Sequence, residues 1–219
     1  MKVGTDGVLL GAWVAQEFSN LSPTNILDIG TGSGLIALML AQQFDKADIT
    51  GIDIDEQAVM QAQQNFRQSP WNNRLTAQLS SLETYQSDRQ YDIIVCNPPF
   101  FSNSLKNPDS ARAIARHNEN LPYSTLVASS FNMLAPDGIL CLVVPYNEAQ
   151  SICNLVKQNG GALLKQCNIR GTKDKPYKRA LLAFGKQEVG NIEVAELTLE
   201  TTQHTRTDEY SHLTRDYYL

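Results

Sequence analysis

The 219 residues include 42 % hydrophobic and 19 % charged side chains and carry a net charge of -5, a composition that suits one globular domain with a sizeable core. No run approaches the ~18 apolar residues of a membrane span, the opening MKVGTDGVLL lacks the cleavage pattern of a secretory signal, and the acidic balance argues against nonspecific coating of nucleic acid. The expectation is a single cytoplasmic domain over residues 1–219, with its core at 25–186 and a C-terminal extension at 187–219.

Taken in chain order, NILDIG, DITGIDI, RLTAQLS, YDIIVCN, GILCLVV, LKQCNIR and RALLAFG are runs of strand length bounded by turn residues. Several are apolar throughout, as strands covered on both faces are. LIALMLAQQF, EQAVMQAQQNFRQ, STLVASSFNML and EAQSICNLVKQ lie between them and repeat apolar residues at helical spacing. Such alternation predicts an α/β fold, a doubly wound Rossmann-like sheet with mainly parallel strands and right-handed crossovers. Between the sixth and seventh strands stands only GTKDKPY, too short for a helical crossover, so the last strand should be antiparallel. Cys96, Cys141, Cys153 and Cys167 show no CxxC spacing, and His117, His204 and His212 are scattered; no metal site is expected.

Ligands of open parallel sheets bind at the carboxyl ends of the strands, near the point where strand order reverses. The first strand ends there in LDIGTGSG, which supplies Asp28, Gly30, Gly32 and Gly34. Leu35 occupies the position that would complete a dinucleotide GxGxxG fingerprint, which disfavours a nicotinamide cofactor. Asp53 ends the second strand and is placed to accept the hydroxyl protons of a ribose. A ligand with a ribose, an ammonium for Asp28 and no pyrophosphate fits S-adenosylmethionine.

LDIGTGSGL, GIDID and NPPF, in that order, resemble the seven-stranded class I methyltransferases. Together with MKVGTDGVLLGAW, NPPFFSNSLKNPDSARAIARH, KRALLAF and YSHLTRDYYL, they make the chain similar to the bacterial tRNA(Val) adenine-N(6)-methyltransferase family. The resemblance implies methylation of the exocyclic amine of the adenosine 3′ of the anticodon, with tRNA as partner and the protein a monomer. It also implies cofactor contacts at Thr5, Asp6, Ile54, Ser81 and Asn97, and a segment upstream of KVGTDG, whereas this sequence starts at Met1. The tyrosine usual after the prolines is Phe100 here, which keeps a stacking face and loses a hydroxyl.

An adenine amine is a poor nucleophile, because its lone pair is delocalised into the ring. Two acceptors, the side-chain carbonyl of Asn97 and the main-chain carbonyl of Pro98, can take its hydrogens and aim it. Pro98 and Pro99 stiffen that geometry, and Phe100 offers a face for a flipped-out base. Guanine in RNA and a protein glutamine amide pose the same chemical problem and stand as alternatives; a noncatalytic cofactor-binding module would be expected to lose Asn97 or the prolines. Charge is segregated along the chain. Residues 165–186 hold seven basic residues against one acid, and residues 188–219 hold seven acids against two arginines. Lys173, Lys175, Lys178 and Arg179, extended by Arg112 and Arg116, are the expected phosphate-binding surface.

Overall fold

The computed structural model describes residues 4–99, 121–188, 190, 192–202 and 205–218. One sheet runs through the molecule in the order β3-β2-β1-β4-β5-β7-β6-β8. Its strands are β1 (Asn25–Ile29), β2 (Asp48–Asp53), β3 (Leu75–Leu79), β4 (Tyr91–Cys96), β5 (Leu134–Pro145), β6 (Ala162–Arg170), β7 (Arg179–Gly185) and β8 (Glu193–Thr198). The first five pair in parallel, and β7 lies between β5 and β6, antiparallel to both. All seven expected strands are present, with the antiparallel hairpin where the short connection requires it.

The all-apolar strands are explained by cover on both faces. Ile26, Ile93, Val95, Cys141, Val143 and Leu181 point to one side, beneath α1 (Thr5–Glu17), α2 (Leu35–Gln43) and α3 (Glu56–Gln68). Leu27, Ile94, Cys96, Leu142, Val144 and Leu182 point to the other, beneath α4 (Tyr123–Met133) and α5 (Ala149–Gln158). Adjacent residues on a strand face opposite ways, so a doubly covered strand needs an unbroken apolar run. Helix α4 leads straight into β5, which starts four residues before the run GILCLVV that marks it in the sequence. Leu134 sits opposite Tyr91 and Ile139 opposite Ile93, so residues 135–138 bulge out of register; Pro136, which has no N–H to give the ladder, is exposed there.

Three elements have no clear pattern in the sequence. Helix α1 is buried on nearly every side, Gly7 through Ala15, and a helix covered all round shows no apolar stripe. Its inner side, with Leu9, Leu10, Trp13 and Val14, joins the sheet core. Val8 and Ala12 pack with Met39 against Leu35, Leu213, Tyr217 and Tyr218, so the tail around α6 (Asp208–Thr214) forms its outer cover. Strand β8 pairs in parallel with the edge of β6, yet only Leu197 of its six residues is buried. Charge supports it: Lys165 Nζ lies 2.8 Å from both Glu17 and Glu193, and Arg170 lies 3.0 Å from Glu196.

Leu213 packs on α1 from the tail. Leu213→Ala should therefore lower stability by about 1–2 kcal/mol, or about 2–8 °C in the thermal midpoint for a chain of this size, as a calorimetric scan would show.

Candidate active site

The strand register assembles the site. Ile29 is opposite Ile52 on one side and Cys96 on the other, and Asp53 is opposite Leu79. Gly30, Asp53 and Asn97 consequently emerge side by side at the carboxyl edge, at the reversal point where β1 is flanked by β2 and β4, with Ser80 one residue beyond that row. A cavity of about 470 Å³ opens above them, lined on this row by Gly30, Asp53 and Asn97. Gly32, Ile54, Ser80, Ser81, Pro98 and Pro99 also line it.

The glycine loop is built around one carboxylate. Gly30 and Thr31 donate their N–H groups to the Ile52 carbonyl at 2.9 and 3.0 Å, which folds the chain back over β2. Asp53 Oδ2 accepts the Gly32 N–H at 2.9 Å and Oδ1 accepts the Asp55 N–H at 3.0 Å. Gly30 has φ +69 and a Cβ there would meet open space, so its backbone faces the cavity directly. Gly34, with φ +81, caps α2, and a Cβ would come within 2.3 Å of the Phe66 ring. Its glycine is needed for packing of the loop on α3, and Gly34 does not line the cavity. A ligand that places a ribose against Asp53 and a flat ring on the apolar surface of Ile54, itself 54 % exposed, fits these walls.

Asp28 is fully buried beneath this floor and is not among the lining residues. Its Oδ2 accepts the Thr31 hydroxyl at 2.7 Å. Burial pushes its carboxyl up to about 6; hydrogen bonding by the Thr31 hydroxyl and by the Ala37 N–H opposes the rise and the nearby Asp53 carboxylate adds to it. Any influence on a cofactor ammonium is thus exerted through the loop and the electric field.

Asn97 stands where two cavities meet. Its Oδ1 is buried and has no hydrogen-bond partner among the described residues. A second cavity of about 480 Å³ lies on its other side, lined by Gly4, Thr5, Asp6, Asn97, Pro98 and Pro99. Thr5 and Asp6, expected at the cofactor, thus line this second space and not the first. Asp6 Oδ2 accepts from Arg179 Nε at 3.0 Å, which ties the first turn of α1 to the start of β7. Ser81 lines the first cavity, with its hydroxyl 2.8 Å from Thr84 Oγ1 and accepting the Thr84 N–H at 3.2 Å. Phe100, Arg112 and Arg116 lie outside the described residues.

Several lining residues are not singled out in the sequence: Gly7, Leu82, Glu83 and Pro122. Glu83 supplies an acid two positions beyond Ser81, inside a turn where no strand pattern marks it. Gly7 and Pro122 belong to the starts of α1 and α4, which reach the site only through tertiary packing.

On the basic hairpin, Arg170 pairs with Glu196, Arg179 with Asp6, and Lys186 donates to the Leu134 carbonyl at 2.7 Å. Lys173 and Lys178 are exposed with no ion pair among the described residues, and Lys175 approaches only Asp174, at 3.8 Å.

A doubly wound sheet with this reversal point, a glycine loop and an asparagine with a buried carbonyl oxygen before two prolines defines a methyltransferase. The family model described as "Methyltransferase small domain" matches residues 11–161. Among solved structures, a "predicted O-methyltransferase" from Agrobacterium tumefaciens superposes with TM-score 0.70 over 96 % of both chains; at 16 % identity that likeness concerns the fold alone. A relative from Flavobacterium johnsoniae, named tRNA1(Val) (adenine(37)-N6)-methyltransferase, is 42 % identical over all of this chain and 93 % of its own length. Another of that name, from Parabacteroides distasonis, is 41 % identical over all of this chain and 91 % of its own length. The chain belongs to the tRNA1(Val) (adenine(37)-N6)-methyltransferase family.

The Asp28 carboxyl yields a pH signature. Its folded value of about 6 lies above the ordinary 3.8, so the native state binds this proton more tightly than the unfolded chain. The group's stabilising contribution is complete below about 4 and lost as pH rises through about 6. Asp28→Asn should therefore be more stable than the parent by on the order of 3 kcal/mol at pH 8, and the advantage should fade between pH 7 and 4 in urea-unfolding midpoints.

Proposed function

We propose that this protein transfers a methyl group from S-adenosylmethionine to the exocyclic amine of an adenosine in tRNA, the one 3′ of the anticodon of tRNA(Val). The observation that carries the reading is the Asn97 carbonyl oxygen, buried and without a partner among the described residues at the junction of two cavities. A buried acceptor without a donor costs roughly 1–3 kcal/mol, a cost relieved when a substrate N–H arrives. Relatives named for adenine in tRNA, 39–42 % identical over the full length of this chain, support adenine over guanine and over a protein amide.

In the first cavity Asp53 holds a ribose, Ile54 supplies an apolar face, and Glu83 and Ser81 stand at the rim toward β3. S-adenosylmethionine, when bound there, supplies an electrophilic methyl carried on a sulfonium. The target base enters the second cavity. Asn97 Oδ1 and the Pro98 carbonyl accept the two amine hydrogens, which draws the nitrogen lone pair out of the ring and fixes its direction. Pro98 is buried and its fixed φ holds that carbonyl in place. No strong base is required among the side chains, because the amine proton becomes acidic as the new bond forms and leaves to water. Lys173, Lys175 and Lys178 offer the phosphate-facing charge, while Arg179 acts on the base cavity through its pair with Asp6.

Asn97→Ala should leave cofactor affinity within about twofold and cut kcat on tRNA by about a hundredfold or more. Labelled-methyl transfer and calorimetry measure the two quantities, and full turnover by the variant would overturn the mechanism. Replacing Lys173, Lys175 and Lys178 together with alanine should weaken tRNA binding and flatten its log–log salt dependence by about 0.7–0.9 for each phosphate that is no longer neutralised. An unchanged salt slope would place the RNA surface elsewhere.

A further inference from the structure

We propose that Tyr146, braced by Tyr177, is a second base-binding platform that stacks an unpaired nucleotide of the substrate RNA adjacent to the methylated one. The inference rests on the reading of the active site given above and adds a subsite to it. Tyr146 directly follows Pro145, the last residue of β5. β5 is the neighbour of β4, with Leu142 opposite Cys96, so the ring stands above the same sheet edge as Asn97, one strand over and three residues, roughly 10 Å, farther out along the strand direction.

The platform is rigid. The Tyr146 N–H donates to the Lys178 carbonyl at 3.1 Å, and Pro145 is in register with Arg179, so the end of β5 and the basic hairpin move together. The two rings lie 5.1 Å apart, tilted by 44°. Arg170 sits 5.1 Å over the Tyr177 ring, and the Glu196 carboxylate takes part by a hydrogen bond to the Tyr177 hydroxyl that raises its pKa. Tyr177 is thus occupied by protein on its own account.

Tyr146 is not. It remains 38 % exposed and borders an open groove of about 580 Å³ together with Gln150 and Asn154. An aromatic ring left open costs hydrophobic free energy that inward packing would recover. The hairpin to which it is bonded through Lys178 carries the exposed Lys173, Lys175 and Lys178, whose charge suits a phosphate backbone. A base drawn out of an RNA loop leaves its neighbour without a stacking partner, and a ring one strand away supplies a substitute surface that tolerates any base.

The test uses an anticodon stem-loop RNA with 2-aminopurine placed, in separate molecules, on either side of the target adenosine. Wild-type protein is expected to quench one of the two. Tyr146→Ala should abolish that change and raise KM for the RNA about tenfold or more, with kcat and cofactor affinity unchanged, while Tyr146→Phe behaves as wild type. Tyr146→Leu keeps apolar bulk against Tyr177 and should lose the quench as well, which separates stacking from support of the hairpin. Wild-type KM and fluorescence in both Tyr146→Ala and Tyr146→Leu would remove the platform while wild-type methyl transfer still upheld the parent reading. Failure of the wild-type protein to methylate this RNA or whole tRNA would remove the parent reading, and the platform with it.

Discussion

The site depends on one constraint, the hydrogen-bonded register of β1 with its two neighbours. With Ile29 fixed between Ile52 and Cys96, the next residue on each strand must appear in the same row. That row contains a glycine whose backbone faces the cavity, a carboxylate and an amide carbonyl. None of the three could be moved by a single position without turning its side chain to the other face of the sheet. The apolar strands are therefore more than a core: their burial on both faces fixes the register, and the register sets the chemistry.

The same economy governs charge. Along the chain, basic and acidic residues form separate blocks, but in space the acidic block folds onto part of the basic one. Parallel pairing of β8 with β6 sets Glu193 beside Lys165 and Glu196 beside Arg170. Partly exposed pairs of this kind add little stability each. Their larger effect is to neutralise positive charge on the flank of the sheet and leave it on the hairpin, with Lys173, Lys175 and Lys178. A protein acidic overall thereby keeps one local patch of positive charge.

What was legible in the sequence follows from these physical distinctions. Strands buried on both faces and amphipathic helices leave periodic patterns, and so seven of the eight strands and the antiparallel hairpin could be read. Residues emerging at strand ends, such as Asp53 and Asn97, were legible because a turn follows each at once. Helix α1 was not, since its cover comes from both sides and its sequence shows no stripe. Strand β8 was not, since it is held at an edge by ladder bonds and charge with a single buried side chain. Thr5 and Asp6 could be linked to the site only through likeness to a family, and nothing local in KVGTDG says that they line the second cavity. Arg179 read as a free cation because its partner, Asp6, is 173 residues away.

The burial of α1 between the sheet and the tail also bears on how the fold is completed. The outer face of residues 5–17 is covered by residues 213–218, with Gln42 bonded to the Asp216 carbonyl across 174 positions. Contacts this distant form late and slowly, so α1 waits for its outer cover until the tail docks. Because Gly4 and Gly7 of that region line the first cavity, the row of strand ends can stand complete while the wall above it is still unfinished.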